Sequence, residues 1–192
     1  MSNFKIIYEY YQGWCYDDKE GYGKYSYDEA LEKFNNFETF FIVAQKENED
    51  KPFVYIMITN KDSFYVSFLN EKLDDEREYK YQILHNLEKN KLFLIEFMIR
   101  KFDYSNENLE DYLLEANQYN FAKNDENSNW EWYILDKVFC SETNYINNED
   151  VEYFSENIID ENSLWENIPK FGNWDYFLRD DHERVKFIEV RD

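Results

Sequence analysis

Short runs of β-branched and aromatic residues, separated by polar turns, fill the first hundred residues of the chain. These runs cover residues 4–11, 39–44, 53–59, 63–69, 78–84 and 92–102. They are typical of strands, and the polar residues 60–62 are few enough to close a hairpin between two of them. Residues 78–84 alternate as a strand with one buried face would, although Ile83, Leu84 and Leu87 also suit a helical turn. The pattern therefore predicts an antiparallel meander.

A helix is predicted near the start of this meander. Ser26 and Glu29 have the spacing of a capping box, in which each side chain accepts a hydrogen bond from the other residue's backbone amide. Apolar residues follow at helical spacing, at Tyr27, Ala30, Leu31 and Phe34. The glycines and acids that precede the helix predict a loop, at Gly13, Asp17, Asp18, Glu20, Gly21 and Gly23. We expect the helix to pack on one face of the sheet.

The second half of the chain shows helical spacing at two places. A helix capped by Ser105 is predicted from an apolar stripe with the spacing i, i+3, i+4, i+7, formed by Leu109, Tyr112, Leu113 and Ala116. A second, acidic helix is predicted to start at Asn148 and to turn three apolar residues inward, Val151, Phe154 and Ile158. Residues 130–139 and 185–190 are predicted strands.

These elements together predict an α+β fold. It combines an antiparallel meander sheet, a capped helix on one face of that sheet, and an acidic, more helical C-terminal half. A chain of 192 residues is long enough for one substantial core. We therefore expect a single α+β domain over residues 1–192, with residues 122–129 as the candidate position of a subdivision.

Negative charge is concentrated in residues 102–169, which we call the acidic segment. The whole chain has a net charge of −21, and this segment holds seventeen acidic side chains but only two basic ones, Lys123 and Lys137. Thirteen aromatic side chains are interspersed among the acids. Because aromatic side chains bury large areas when they pack, we expect the segment to fold and to present a negative surface. The competing interpretation is that the acids serve solubility alone.

The sign of this charge restricts the partners of the protein. DNA, RNA and anionic membranes bind positive surfaces, so the sequence predicts no direct nucleic-acid partner and no membrane partner. Basic proteins and divalent cations remain. We expect a basic protein to contact the following residues of the acidic segment: Glu107, Glu110, Asp111, Glu115, Asp125, Glu126, Trp130, Glu149, Asp150, Glu152, Glu156, Asp160, Glu161 and Trp165. Each of these tryptophans is either an exposed anchor ringed by carboxylates or a core residue.

The N-terminal residues and the cysteines bear on the cellular compartment. Residues 1–9 contain neither a long apolar region nor a small-residue cleavage site, so no signal peptide is expected. No stretch approaches the roughly 18 apolar residues of a membrane span. Cys15 and Cys140 are too few for a disulfide framework and lack the pair spacing of a zinc site. We therefore expect a metal-free cytoplasmic protein that has no cofactor.

One short motif is compatible with catalysis. Glu78 and Lys80 have the E-x-K spacing of metal-dependent nuclease strands, and Asp74 and Asp75 come just before them. Such a site needs two carboxylates on Mg²⁺ and a lysine near the attacking water. It also needs a basic groove to hold the substrate, which this sequence lacks.

The histidines and cysteines do not form a recognisable catalytic pair. His85 and His182 have no flanking motif that joins them to Cys15 or Cys140 as a base and its nucleophile. The sequence also contains no Gly-rich phosphate loop and no Ser nucleophile elbow. It therefore predicts a protein that is not an enzyme.

The outline of residues 4–69 and the acids between Asp103 and Glu166 are similar to those of bacterial immunity proteins of polymorphic and contact-dependent toxin systems. The resemblance implies a non-catalytic inhibitor that binds and neutralises a cognate toxin domain, often a basic nuclease. A negative surface would raise the rate of association with a positive active-site groove and then occupy that groove.

Two other functions are compatible with the sequence. A nucleic-acid mimic of the anti-restriction or anti-CRISPR type would carry its carboxylates in rows that stand in for phosphates along a duplex. A small metal-dependent enzyme would bring its carboxylates together in a pocket. An immunity protein would instead show one concentrated acidic patch with an apolar centre.

Overall fold

The fold is taken from a computed structural model of the chain. It describes residues 5–60, 63–83, 91–102, 104, 113–120, 136–140, 151–155, 158–159, 165–178 and 187–188. For residues 113–120, 136–140, 151–155, 158–159 and 187–188 the description is of the backbone alone.

One helix and thirteen strands make up the described part of the chain. In chain order they are β1 Ile6–Cys15, β2 Glu20–Tyr25, α1 Tyr27–Asn35, β3 Phe40–Lys46, β4 Pro52–Thr59, β5 Ser63–Leu69, β6 Asp75–Ile83, β7 Lys91–Phe102, β8 Leu113–Asn120, β9 Asp136–Cys140, β10 Val151–Ser155, β11 Ile158–Ile159, β12 Trp165–Asn167 and β13 Phe187–Ile188.

Nine of these strands form one antiparallel sheet. Its order is β12-β7-β6-β5-β4-β3-β1-β2, and β8 also pairs with β7. Strands β9 and β10 form a separate pair, as do β11 and β13. The succession β3 to β7 is a meander, because each of these strands pairs with the next one along the chain. The predicted hairpin over residues 60–62 is confirmed by the pairing of Thr59 with Ser63.

The predicted α+β fold with a more helical C-terminal half is wrong. The described residues are mostly antiparallel sheet with one short helix. Leu113 and Ala116, placed on a helix from their spacing, lie on β8 and pair with Phe102 and Arg100 of β7. The other positions of that predicted helix lie outside the described residues: Ser105, Leu109 and Tyr112.

The second predicted helix is also a strand where it is described. Val151 and Phe154 lie on β10, which pairs with β9, and Ile158 lies on β11. Asn148 and the candidate subdivision at residues 122–129 lie outside the described residues. A short apolar pattern fits both the helical period and the strand period. Pairing with a strand far away in the sequence decides between a helix and a strand.

The predicted strands of the first hundred residues are confirmed, with their ends shifted by a few residues. Strand β1 runs on to Cys15, where the sequence predicted a loop, and Gly21 and Gly23 belong to β2 rather than to that loop. The predicted strands over residues 130–139 and 185–190 are described in part, as β9 and β13.

The capping box of α1 is confirmed. Ser26 Oγ accepts a hydrogen bond from the Glu29 amide at 3.3 Å, and Glu29 Oε2 accepts one from the Ser26 amide at 2.7 Å. The helix buries Ala30 completely, and Phe34 packs edge-on to Trp174 at 5.8 Å. The short helix therefore covers part of one sheet face, as its apolar spacing predicted.

The main core lies on the face of the sheet that α1 covers. It includes Phe40, Ile42, Val54, Ile56, Val66, Tyr79, Tyr81, Trp174 and Phe177. Residues 165–178 complete this core, although more than sixty residues separate them from the end of β7 at Phe102. The indole of Trp174 is fully buried and donates to the Tyr10 hydroxyl at 3.3 Å. A late segment of the chain thus closes over strands formed by its first half.

The opposite face, which we call the second face, carries a smaller cluster. Successive residues of a strand point to opposite faces. Phe41 and Val43 of β3 are therefore turned away from Phe40 and Ile42 and pack instead with Trp14, Tyr55 and Leu69. The two clusters leave both faces of the sheet partly apolar.

No helix in the described part of the chain is long and apolar enough to cross a membrane.

Candidate functional site

Three of the predicted partner-binding residues fall on described elements. Glu115 lies on β8, where its backbone register partner is Lys101 of β7. Glu152 lies on β10, where its register partner is Phe139 of β9, and Trp165 lies on β12. The remaining eleven lie outside the described residues: Glu107, Glu110, Asp111, Asp125, Glu126, Trp130, Glu149, Asp150, Glu156, Asp160 and Glu161.

Trp165 packs against the main core. Its ring centroid is 4.8 Å from that of Phe93, its register partner on β7, and Phe93 is almost completely buried. The side chain of Trp165 is itself partly buried. These contacts are those of a core residue, which is one of the two interpretations that its sequence context allowed.

Exposed aromatic rings occur instead on the hairpin formed by β1 and β2. Tyr16 and Tyr22 are 59% and 54% exposed, and three exposed acids accompany them. The acids are Asp17, Asp18 and Glu20. The two rings point to opposite faces of the hairpin, because Tyr16 contacts Tyr55 on the second face, whereas Tyr22 pairs with Gly13, the neighbour of Trp14 on that face. Large exposed rings flanked by carboxylates are the combination expected of an anchor for a basic partner. The sequence predicted it for the acidic segment, whereas this example lies in the first 25 residues.

Tyr16 stands at the end of an aromatic stack. Its ring meets the ring of Tyr55 edge-on at 6.3 Å, and Tyr55 in turn stacks on Trp14 at 5.1 Å. Tyr55 is only 3% exposed, and burial, together with the negative charge of Asp75 and a hydrogen bond to Tyr16, strongly raises its pKa. The exposed ring of Tyr16 is therefore held by a buried neutral tyrosine.

The tip of the hairpin is fixed to the turn between β5 and β6. The Lys19 ammonium donates to the Lys72 carbonyl oxygen at 3.0 Å and forms an ion pair with Asp74. The Tyr104 hydroxyl donates to the Asp74 carboxylate at 2.5 Å and accepts from the Asn70 side-chain amide at 2.7 Å. These contacts join residues far apart in the sequence into one hydrogen-bonded unit.

Asn70 organises this turn through its side-chain oxygen. The oxygen accepts from the backbone amides of Lys72, at 2.7 Å, and Asp74, at 3.1 Å. An asparagine that bonds its own downstream backbone in this way stabilises a tight turn. The turn is thereby positioned to hold both Lys19 and Tyr104.

Glu78 and Lys80 of the E-x-K motif lie on the second face, because they alternate along β6 with Tyr79 and Tyr81, which belong to the main core. Glu78 accepts a hydrogen bond from the Arg100 guanidinium at 2.8 Å. Burial raises the pKa of the Glu78 carboxyl, Arg100 opposes that rise, and the charges of Asp75 and Glu96 add to it. The carboxylate is thus engaged with a cation of the chain itself.

Lys80 is engaged as well. Its ammonium lies 5.0 Å from the centroid of the Tyr65 ring. Burial lowers the pKa of Lys80, but its hydrogen bond to Tyr65 and the charges of Tyr65 and Glu96 raise that pKa more, so the net shift is upward. A lysine that stays protonated is suited to binding an anion and poorly suited to act as a base.

Asp75 is also engaged by groups of the chain. Its carboxylate accepts from the Ser67 hydroxyl at 2.5 Å, while its carbonyl oxygen accepts from Arg100 at 3.2 Å. Across the described ranges, no group of three or more His, Cys, Asp or Glu side chains is placed to hold a metal ion. The motif residues Asp75, Glu78 and Lys80 are each engaged by other groups of the chain.

A cleft of about 570 Å³ lies between the β3–β4 turn and the β5–β6 turn. Lys46, Lys51 and Lys72 line it together with Glu49 and Glu71. Lys46 pairs with Glu49 at 2.9 Å, and the Lys51 ammonium donates to the Glu71 carbonyl oxygen at 3.2 Å. Much of the charge of the cleft is therefore compensated by contacts between its own lining residues. The hydrogen bond of Lys51 connects the two turns across the cleft.

The sequence analysis missed the exposed rings of the β1–β2 hairpin because it assigned this part of the chain to a loop. A usable feature was present, since Tyr22 is flanked by Gly21 and Gly23 and lies opposite Gly13 in the hairpin. A large ring beside glycines on the paired strand is a known way of covering a glycine in a sheet. Comparison with protein-family models, curated proteins and solved structures finds no match to this chain.

Proposed function

We propose that this protein is a non-catalytic acidic inhibitor that binds and neutralises a basic protein, as an immunity protein does when it blocks a cognate toxin domain with a nuclease-like basic groove. It would act in the cytoplasm and require no cofactor. The observation that carries the proposal is the location of the uncompensated charge.

The first half of the chain compensates most of its charge internally. Residues 1–101 hold fourteen basic and nineteen acidic side chains. Many of them form ion pairs: Lys5–Glu47, Lys19–Asp74, Lys24–Glu9, Lys33–Glu38, Lys46–Glu49, Arg77–Glu76 and Arg100–Glu78. The acidic segment has only two bases for its seventeen acids. Its charge is therefore in large excess over what it can pair locally, and that charge is available to a basic partner.

A surface of this kind suits inhibition of a protein that binds a polyanion. A nuclease must hold phosphates with basic side chains, and an acidic protein is attracted to the same side chains. Long-range attraction raises the association rate, while packed contacts determine the dissociation rate. Occupation of the groove would then exclude the substrate without any chemistry by the inhibitor.

The internal engagement of Glu78 and Lys80 favours binding over catalysis. Glu78 is paired with Arg100 and Lys80 lies over the Tyr65 ring. A metal-dependent nuclease would need both groups directed at a metal and at a water molecule.

The proposal is tested by mixing the purified protein with basic bacterial nuclease toxin domains and measuring complex formation and nuclease activity. We expect a stoichiometric complex with at least one domain, with loss of that domain's activity. Failure to bind any of them at low ionic strength would contradict the proposal. Displacement of duplex DNA from a DNA-binding protein without a nuclease activity would instead favour the nucleic-acid mimic.

A matched pair of variants tests the role of the acidic segment. In one variant Glu149, Asp150, Glu152 and Glu156 are changed to their amides, and in the other Glu32, Glu47, Asp50 and Glu71 are changed. Both remove four negative charges, but the second set lies outside the segment. We expect slower association and a weaker salt dependence from the first set only. Equal effects of the two sets would show that net charge acts without regard to position.

A further inference from the structure

We propose that Phe37, which follows α1, is an anchor residue whose ring enters an apolar pocket of the basic partner protein. This inference rests on the proposed function and adds to it a residue that determines how slowly the complex dissociates. Two independent observations carry it: the backbone of Phe37 has a strained conformation, and its ring is exposed.

The backbone of Phe37 has a conformation that costs a large side chain free energy. Its φ is +59°, in the left-handed region, where the Cβ of an L-residue crowds the following carbonyl oxygen. Glycine, which has no Cβ, is the usual residue at this place after a helix. A bulky residue there is an outlier, and outliers of this kind concentrate at functional sites.

The hydrogen bonds that end α1 account for this backbone conformation. The Glu38 amide donates to the Lys33 carbonyl oxygen at 2.9 Å, and the Phe37 amide donates to the Phe34 carbonyl oxygen at 3.2 Å. These are the two bonds of a Schellman motif, in which the residue after the helix is left-handed. Main-chain groups make both bonds, so they would form equally well around glycine. The motif therefore explains the φ of Phe37 but not the presence of a ring.

The side-chain contact that accompanies this motif joins two other positions. In many helices it is an apolar contact between the residues whose main chains form the longer of the two bonds. In this chain those residues are Lys33 and Glu38, which form an ion pair. The Asn36 side chain also donates a hydrogen bond to the Glu38 carboxylate. Polar side chains thus close the end of the helix, and this function does not require a phenylalanine.

The second observation is that the Phe37 ring is exposed in the folded chain, by 48%. The other large exposed apolar residues in the described part of the chain are tyrosines, at Tyr16, Tyr22 and Tyr27. A tyrosine hydroxyl can remain bonded to water, whereas the phenylalanine ring has no polar group. Removal of its apolar surface from water is therefore favourable, and a pocket on a partner would provide that burial.

The neighbours of Phe37 along the chain are polar. Asn35, Asn36, Glu38 and Thr39 are all exposed. An apolar centre with a polar rim is the arrangement at which binding energy concentrates in protein interfaces. The charge of the chain favours a basic protein as the occupant, because two copies of this chain, at −21 each, repel one another.

The test uses the full-length protein and the basic nuclease domain that forms a complex with it in the mixing experiment. The variants are Phe37→Ala, Phe37→Gly and Phe37→Leu. Asn60→Gly is the control, because Asn60 also has a positive φ but carries no ring. Association and dissociation rates are measured by surface plasmon resonance, at low salt and at roughly 0.3 M salt. Thermal unfolding of each free variant measures its stability.

The alanine and glycine variants separate binding from stability, because both lose the ring but only glycine relieves the left-handed backbone. We expect Phe37→Gly to melt roughly 2–4 °C above Phe37→Ala. Both should raise the dissociation rate by roughly tenfold or more, and equally at the two salt concentrations, since salt does not screen an apolar contact. Phe37→Leu keeps an apolar side chain and should dissociate more slowly than either. Asn60→Gly should bind as the wild type does.

Four results would overturn the inference. Equal melting temperatures of Phe37→Ala and Phe37→Gly would show that the backbone at this position is not strained. If both variants dissociate at the wild-type rate, Phe37 is not an anchor, and the proposed function still stands. If Phe37→Gly alone regains slow dissociation, binding follows stability rather than the ring. If the wild type binds no basic nuclease domain at low salt, the inference fails together with the proposed function.

Discussion

The guanidinium of Arg100 lies 2.8 Å from the carboxylate of Glu78, and only about a fifth to a quarter of either side chain is exposed. Burial raises the pKa of Glu78, and Arg100 is the group that opposes the rise. Arg100 also donates to the carbonyl oxygen of Asp75 on the neighbouring strand. This pair therefore links β6 to β7, and Arg100 favours the charged form of a partly buried carboxyl.

Replacement of Arg100 by methionine should destabilise the protein by about 1–3 kcal/mol near neutral pH, because it leaves a desolvated carboxylate without its cation. Urea unfolding monitored by fluorescence measures the change. The double variant Arg100→Met/Glu78→Gln should recover part of the loss, since no unpaired carboxylate then remains at this position. Lys5→Met, which breaks an exposed ion pair with Glu47, is the control and should cost less than about 1 kcal/mol.

The Arg100→Met variant should also change how the free energy of unfolding depends on pH. A carboxyl whose pKa is raised by folding contributes stability while it is protonated, and that contribution is lost as the pH rises through the folded-state pKa. Without Arg100 the pKa of Glu78 rises further. We therefore expect the difference between Arg100→Met and the wild type to be smaller at acidic pH than at neutral pH. A difference that stays constant across this range would mean that Glu78 is not the group responsible.

Replacement of Asn70 by alanine should loosen the β5–β6 turn. It removes the oxygen that accepts from the Lys72 and Asp74 amides and the amide that donates to Tyr104. We expect a loss of about 1–3 kcal/mol, measured by chemical denaturation. Asn70→Asp keeps the acceptor but loses the donor, so its loss should be smaller if turn geometry dominates. An equal loss in both variants would assign the effect to the Tyr104 contact.

Alkaline titration should reveal tyrosines that ionise late. Burial and a hydrogen bond to Asp74 raise the pKa of Tyr104 to about 12, and burial and a hydrogen bond to Glu9 raise that of Tyr11 to about 12. Their stability contribution is complete below about pH 10 and is lost as the pH rises towards 12. Tyrosinate absorbance should show that Tyr104→Phe removes one group from this late transition. A late transition that Tyr104→Phe leaves unchanged would contradict this assignment.

Replacement of Ser26 by alanine should destabilise α1, because it removes the N-cap acceptor from the Glu29 amide. We expect a loss of about 1 kcal/mol in unfolding free energy. Glu32→Ala, an exposed change on the same helix, is the control for helix composition. Hydrogen exchange at the amides of the first turn should rise in Ser26→Ala and not in the control. No increase there would show that packing of Ala30 and Phe34 alone holds the helix.

Local pattern determined the elements whose signals lie within a few residues. The strands β1 and β3 to β7 follow from short runs of β-branched and aromatic residues bounded by polar turns, because this composition and length favour a strand over a helix. The helix α1 follows from the contact between Ser26 and Glu29, which are three residues apart. Charge is equally local, and the excess of acids in residues 102–169 was evident from composition alone.

Tertiary structure decided whether ambiguous segments became strands or helices. Leu113 and Ala116 have helical spacing, yet they lie on β8. This strand pairs with residues 96–102 of the long strand β7, which supply backbone hydrogen-bond partners along β8. The same holds for β10, which pairs with β9. Interactions with distant strands outweigh the small propensity differences that separate a short amphipathic helix from a strand.

The candidate site depended on tertiary structure still more. The spacing of Glu78 and Lys80 identified them as a candidate motif. Only the pairing of β7 with β6 shows that Arg100 forms an ion pair with the Glu78 carboxylate. Tyr16 and Tyr22 resembled loop residues until the strand pairing placed Tyr22 over Gly13 and the aromatic stack placed Tyr16 against Tyr55. The sequence by itself determined which charges and rings the protein carries. Contacts between residues far apart along the chain decided which of them are buried, paired or exposed, because exposure depends on what packs against a side chain and no local pattern records that.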